Sequence, residues 1–341
     1  MCFLKVSVFG CGAWGTAVAL VLYDNGYDVT MWSKFDDEVS VLEKSRKNKL
    51  LPDVLIPDDI VFTSDLCAAV SGAKAAVIVV PSFALRETAA AISEHIDSEA
   101  VVICMSKGIE KDTCGLFSDI LEEVLPEGAM IAVVSGPTHA EEVSKRVPSA
   151  CVVASGDMSV AMRVQNLLMN KYLRVYTSTD LIGVELGAAL KNVIALGAGI
   201  GAGLGIGDNG LAMLMTRGLA EIAELCVKMG GSKETLAGLA GLGDLIVTCM
   251  SEHSRNRRAG RLIGQGMSAD EAMKSVGAVV EGYYAAKAAK ELAELMDVDM
   301  PICLETYRVL YEGKSPQMAL DDLMSRSRRS EQSTGGELWV M

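Results

Sequence analysis

Residues 251–260 read SEHSRNRRAG, which puts Arg255, Arg257 and Arg258 inside four positions. The chain around them is acidic, with a formal net charge of −13 at pH 7. Positive charge gathered into one short stretch of an acidic protein suits a small anionic ligand. If Ser254 caps a helix over 255–263, a turn of about 100° per residue puts Ala259, Leu262 and Ile263 on the same side as Arg255. Asn256 then flanks Arg255, Arg257 points to solvent, and Arg258 lies at the other edge. A phosphate at that helix start would meet free N–H groups, the helix dipole and a forked guanidinium. The competing reading is a solvated basic helix start.

A second candidate is Lys191. The run GVELGAALKNVIALGAG (183–199) is apolar apart from Glu185, Lys191 and Asn192. A lysine on an apolar helix is costly unless it is paired or functional. Desolvation lowers the pKa of an ammonium group and lets it move protons near neutral pH. Snorkelling to the surface is the alternative. The glycine-punctuated run GLAGLGDLIVTC (238–249) carries Asp244, which could orient the lysine, bind a substrate hydroxyl or cap a turn.

A third candidate lies at the start of the chain. KVSVFGCGAWGTAVALVLYDNGYDV holds Gly10-x-Gly12-x-x-Gly15 after one strand and before a helix, with a second strand following. That context makes the fingerprint specific for a dinucleotide. Gly10 permits the tight turn, Gly12 admits the pyrophosphate, and Gly15 lets helix and sheet pack closely. The acid that usually ends the second strand is replaced by Ser33 and Lys34. A lysine there could pair with a 2′-phosphate, which favours NADPH over NADH; a solvated Lys34 with Asp36 nearby is the competing reading.

These residues need a frame. Apolar runs at 5–9, 29–32, 75–80, 100–105, 130–135, 150–154 and 173–177 read as strands buried on both faces. The expected fold class is α/β: an N-terminal Rossmann-like, doubly wound, mostly parallel sheet over 1–178, followed by an all-α C-terminal domain over 179–328. Residues 329–341 read as a flexible tail. Within the second domain, 211–229 has helical period and stops at Gly230-Gly231, SADE (268–271) is a capping box, and Pro301 and Pro316 open helices. In such sheets ligands sit beyond the carboxyl ends of the strands. That rule picks out Pro81-Ser82, Ser106-Lys107-Gly108 and Ser135-Gly136-Pro137-Thr138. Lys107 could also be a surface lysine, and Thr138 could simply cap a helix through THAE (138–141).

Composition narrows the function. The acidity argues against nucleic acid and polyanionic membrane as partners. Nine scattered cysteines without a CxxC pair suggest reduced, packed thiols, and three histidines without a cluster make a metal site unexpected. The most membrane-like stretch, 181–207, carries Glu185 and Lys191 and reads as a buried helix, not a span. No signal peptide is expected at the start.

The blocks GCGAWGTA, MSKGIE, SGPTHAEEV, GVELGAALKNVIALGAGI, TRGLAEI, GLAGLGDLIVTCMSEHSRNRRAG and VVEGYYAAKAA resemble bacterial NAD(P)-dependent glycerol-3-phosphate dehydrogenase, collinearly from about residue 4 to 328. The resemblance implies reversible reduction of dihydroxyacetone phosphate to sn-glycerol 3-phosphate. It implies Lys191 as proton donor and acceptor, with Lys107, Gly136, Thr138, Asp244, Ser254, Arg255 and Asn256 at the substrate. The cofactor would meet Trp14, Lys34, Lys107, Ala140, Arg255, Val279 and Glu281 besides the glycine loop. The product would feed glycerophospholipid synthesis, and the enzyme would be a cytoplasmic homodimer. Two departures stand out: Ala13 occupies a position usually held by a small polar residue, and AGIGAGLGIGDN lacks the polar pair usual there. The backbone N–H of Ala13 still serves a pyrophosphate.

Overall fold

The computed structural model describes residues 4–328 and 330–331. Almost all of the expected tail over 329–341 lies outside the described residues. The strands are β1 Lys5–Phe9, β2 Asp28–Trp32, β3 Val61–Thr63, β4 Ala75–Ile78, β5 Val101–Cys104, β6 Met130–Ser135, β7 Ser149–Ala154 and β8 Leu173–Ser178. The helices of the first half are α1 Ala13–Asp24, α2 Asp36–Ser45, α3 Leu66–Val70, α4 Leu85–Ser93, α5 Phe117–Val124, α6 Ala140–Val143 and α7 Met158–Leu168. Then follow α8 Leu181–Leu204, α9 Gly207–Lys228, α10 Lys233–Leu236, α11 Asp244–Met250, α12 Arg255–Gly264, α13 Ala269–Val276, α14 Glu281–Met296, α15 Pro301–Tyr311 and α16 Pro316–Met324.

The chain divides into two compact units. The first holds everything up to Ala189 together with Glu234–Val247; the second holds Leu190–Lys233 and everything from Thr248 on. A boundary near 178 was expected, but the division falls inside α8. The reason is local. Glu185 of α8 accepts hydrogen bonds from the backbone N–H (3.0 Å) and hydroxyl (2.5 Å) of Ser118 on α5. A Cβ on Gly187 would stand 2.7 Å from the Ala240 carbonyl oxygen. The first turns of α8 are therefore built into the sheet unit.

The sheet order in the first unit is β3-β2-β1-β4-β5-β6-β7-β8. Its first six strands run parallel, β7 is antiparallel to β6, and β8 is parallel to β7. Alternate residues serve the two faces. Val6, Val8, Val77 and Ile103 join one core; Phe9, Ile78, Val102 and Cys104 join the other. The strand β3 was not expected from the sequence. Three residues with one buried side chain leave too little pattern to read.

The second unit is helical among the described residues. Ser268 and Glu271 form the expected capping box of α13, and Pro301 and Pro316 stand in the first turns of α15 and α16. The helix α8 is long and apolar enough to cross a membrane by length and composition, and 89% of its most apolar window is buried within the protein.

Candidate functional site

In the first unit the three fingerprint glycines have three separate physical reasons. Gly10 has φ +122°, and a Cβ there would stand 3.1 Å from the Val79 carbonyl. A Cβ on Gly15 would run into the Gly10 carbonyl oxygen. Gly12 is different: nothing lies within 4 Å of the place its Cβ would take, and it caps α1 with no side-chain hydrogen bond. A side chain at Gly12 would fill the open space before the first N–H groups of α1, where Ala13 follows. Close by, the indole N–H of Trp14 is buried with no hydrogen-bond partner. An uncapped helix start, a cradle kept clear by glycine and an orphaned donor together fit a pyrophosphate-bearing cofactor.

Beyond β2, Lys34 pairs with Glu87 of α4 at 2.6 Å, and both side chains are mostly exposed. Ser33 is buried and donates its hydroxyl to Glu38 at 2.5 Å.

Beyond β5 and β6, Lys107 donates to Asp244 Oδ2 at 2.7 Å and to the Gly136 carbonyl at 3.2 Å. The hydroxyl of Ser135 lies 3.5 Å from the same carboxylate oxygen. Gly136 has φ +153°, and a Cβ there would stand 2.7 Å from Cys151 Cα, so the loop must be glycine to pass β7. Asp244 opens α11 directly after a π-helical turn at Leu239–Gly243, an irregularity often found where a side chain must be aimed. The Cys151 thiol is pushed up by burial and held back in part by the Lys107 charge.

In the second unit, Lys191 is only 5% exposed. Its Nζ donates to Thr248 Oγ1 at 2.7 Å. One residue on, Asn192 accepts from Asn256 Nδ2 at 2.9 Å, and Asn256 Oδ1 accepts from the Gly282 N–H at 2.8 Å. This chain of amides ties α8, α12 and the start of α14 together. Ser254 caps α12, its hydroxyl accepting from the Arg257 N–H at 3.2 Å. Arg255 is exposed.

Two family models match the chain: the N-terminal domain of NAD-dependent glycerol-3-phosphate dehydrogenase over residues 5–161, and its C-terminal domain over residues 180–321. The chain belongs to this family. It is 48% identical over 330 residues to glycerol-3-phosphate dehydrogenase [NAD(P)+] of Fusobacterium nucleatum, covering 96% of this chain and 98% of that one. It is 49% identical over 330 residues to the Geobacillus kaustophilus protein of the same name, covering 96% of each. A crystal structure of glycerol-3-phosphate dehydrogenase from Coxiella burnetii is similar with a TM-score of 0.91 and 37% identity, covering 95% of this chain and 99% of that one.

Among the glycerol-3-phosphate dehydrogenase motifs, the structure brings Lys107, Gly136 and Asp244 into one hydrogen-bonded set, and Lys191 and Thr248 into another. Ala140 begins α6, Glu281 begins α14, and Val279 is partly buried just before it. Three expectations change. Thr138 is no helix cap: its hydroxyl donates to the Gly136 carbonyl at 3.2 Å, and α6 starts after His139. The buried face of α12 is Asn256, Ala259, Gly260 and Ile263, not a face centred on Arg255. Accordingly Arg257 is not solvent-facing; its side chain is 17% exposed and ion-paired with Glu252. Arg258 is exposed. Sequence reasoning also missed Thr248 and left Asn192 without a role. The signal for Thr248 was its place four residues after Asp244, one turn along a single helix.

Proposed function

We propose that this chain is an NAD(P)-dependent oxidoreductase interconverting dihydroxyacetone phosphate and sn-glycerol 3-phosphate. The observation that carries this reading is Lys191, an amine only 5% exposed on an apolar helix and hydrogen-bonded to Thr248. A buried amine at hydrogen-bonding distance from a hydroxyl is suited to passing a proton.

When bound, the nicotinamide cofactor would supply the hydride for the ketone carbon, or accept it in the reverse direction. Lys191 donates a proton to the ketone oxygen as negative charge builds there, and takes it back in reverse. The bond to Thr248 fixes where the amine points. Gly10, Gly12, Ala13, Trp14 and Gly15 would hold the pyrophosphate, with Lys34, Lys107, Ala140, Arg255, Val279 and Glu281 as further cofactor contacts. Lys107, Gly136, Thr138, Asp244, Ser254 and Arg255 bind substrate, with Arg255 on the phosphate. Asn256 joins them at the substrate, its orientation held by one amide bond to Asn192 and one from Gly282 and its second N–H left to donate. Phosphate binding remote from the ketone contributes orientation to the reacting carbon. The reading extends to a cytoplasmic homodimer supplying glycerophospholipid synthesis.

The test is oxidation of NADH and NADPH on addition of dihydroxyacetone phosphate. Wild type turns over and Lys191→Ala does not, while still binding the cofactor. Normal turnover in the variant removes the proton role from Lys191. Cofactor binding without turnover of any phosphotriose by wild type overturns the reading as a whole.

A further inference from the structure

The usual ribose-binding acid is missing from the end of β2 in the sequence, yet the structure returns a carboxylate to that place. β2 ends at Trp32, whose carbonyl accepts from the Gly10 N–H at 2.9 Å, so the strand end abuts the glycine loop. The next residue, Ser33, is buried, and its hydroxyl donates to Glu38 Oε2 at 2.5 Å. Glu38 lies in the first turn of α2 and is folded back onto the strand instead of extending into solvent. Its charge is also felt at Cys11, between Gly10 and Gly12, where it adds to burial in raising the thiol pKa. The carboxylate therefore faces both the strand end and the phosphate loop, the place of the adenosine ribose in this fold.

We infer that Glu38 reads the 2′ position of the cofactor's adenosine ribose and makes this chain prefer NADH to NADPH. The inference rests on the dinucleotide reading of the glycine loop. A carboxylate has acceptor capacity for more than one donor, so a neutral 2′-hydroxyl can bond to Glu38 while Ser33 keeps its place. A 2′-phosphate would bring like charge against it, with Asp36 and Asp37 in the same helical turn. Lys34 is the cation that would offset this, but it is engaged by Glu87. That pair is solvent-exposed, so Lys34 can still swing to the cofactor, but as one exposed cation it offsets little of the charge that Glu38, Asp36 and Asp37 set against a 2′-phosphate. The preference is the reverse of the one the Lys34 position alone suggests.

The experiment titrates the purified protein separately with NADH and NADPH, following cofactor fluorescence, and with AMP and adenosine 2′,5′-bisphosphate as competing probes. Wild type is expected to bind NADH roughly tenfold or more tightly than NADPH. Glu38→Gln keeps an acceptor for Ser33 and removes the charge, and is expected to bring the two affinities within about threefold of each other. Glu87→Gln releases Lys34 and narrows the ratio less. Equal affinities in wild type, tighter NADPH binding, or an unchanged ratio in Glu38→Gln overturns the inference. The wild-type ratio and the two adenosine probes decide the matter even if Glu38→Gln does not fold. Binding of neither dinucleotide overturns the cofactor reading itself, a result distinct from a wrong preference.

Discussion

Lys107 and Asp244 form an ion pair with unequal burial. The Nζ–Oδ2 distance is 2.7 Å, and the side chains are 20% and 2% exposed. Removing one partner of a buried pair leaves the other charge uncompensated, and the penalty depends on which one stays. Lys107→Ala takes the cation from a carboxylate that has almost no solvent and is expected to destabilise by about 3–5 kcal/mol. Asp244→Ala leaves an ammonium group that can still reach water, with an expected loss of about 1–3 kcal/mol. Urea unfolding of the two variants checks the order; a larger loss in Asp244→Ala contradicts it.

Thr248 should matter to catalysis only through Lys191. Thr248→Val keeps the shape and removes one acceptor for the lysine amine. Turnover is expected to fall about 10–100-fold, against roughly 10²–10⁴-fold in Lys191→Ala, with dinucleotide affinity unchanged in both. Steady-state kinetics beside cofactor titration separates this from a general loss of structure.

The arginines of α12 divide by contact. Arg255 is exposed at the helix start, whereas Arg257 is half-buried against Glu252. Arg255→Ala is expected to raise KM for dihydroxyacetone phosphate at least tenfold with little change in melting temperature, as a lost charged contact to phosphate should. Arg257→Ala is expected to lower the melting temperature and move KM little. Equal KM effects would mean that both guanidinium groups meet the phosphate.

Glu221 offers a pH signature. It is buried on α9 and accepts from the N–H groups of Ile302 (2.8 Å) and Cys303 (3.2 Å) at the start of α15. Burial pushes its pKa up from 4.5 to about 8 against those bonds. A carboxyl raised on folding binds a proton in the native state that the unfolded chain has lost, so stability falls as pH rises between about 4.5 and 8. Glu221→Gln removes this slope. Relative to wild type the variant should gain stability, on the order of 3 kcal/mol, between pH 5 and pH 8. Denaturant titrations at both pH values test it; a constant difference rules it out.

Much of the fold could be read in advance because its signals are local. Most of the seven longer strands carry near-continuous apolar runs, the glycine loop has its context, and Ser254 caps α12 where its type and position suggested. The rotation of α12 could not be read. A count of apolar side chains treats Gly260 and Gly264 as blanks, yet glycine is what that helix buries. A Cβ on Gly260 would run into the Leu196 carbonyl, and one on Gly264 into that of Ile200. Asn256 thus turns inward and Arg257 is pressed against Glu252. The carboxylate of Glu38 was illegible for another reason: it reaches the end of β2 from six residues beyond Trp32, through a side-chain bond that no strand pattern announces.

The contact between α8 and α12 is backbone against backbone. Gly199 and Gly203 of the first helix lie on the Arg257 and Arg261 carbonyls of the second, and Gly260 and Gly264 return the approach. Two helices that touch through their main chains have no side-chain layer to compress or slide. Lys191 rides on one and Arg255 on the other, so the main-chain separation of the two residues is set by that contact. On the function proposed above, the pair acts as a caliper that would favour a phosphorylated ketone of one length over longer or shorter ones.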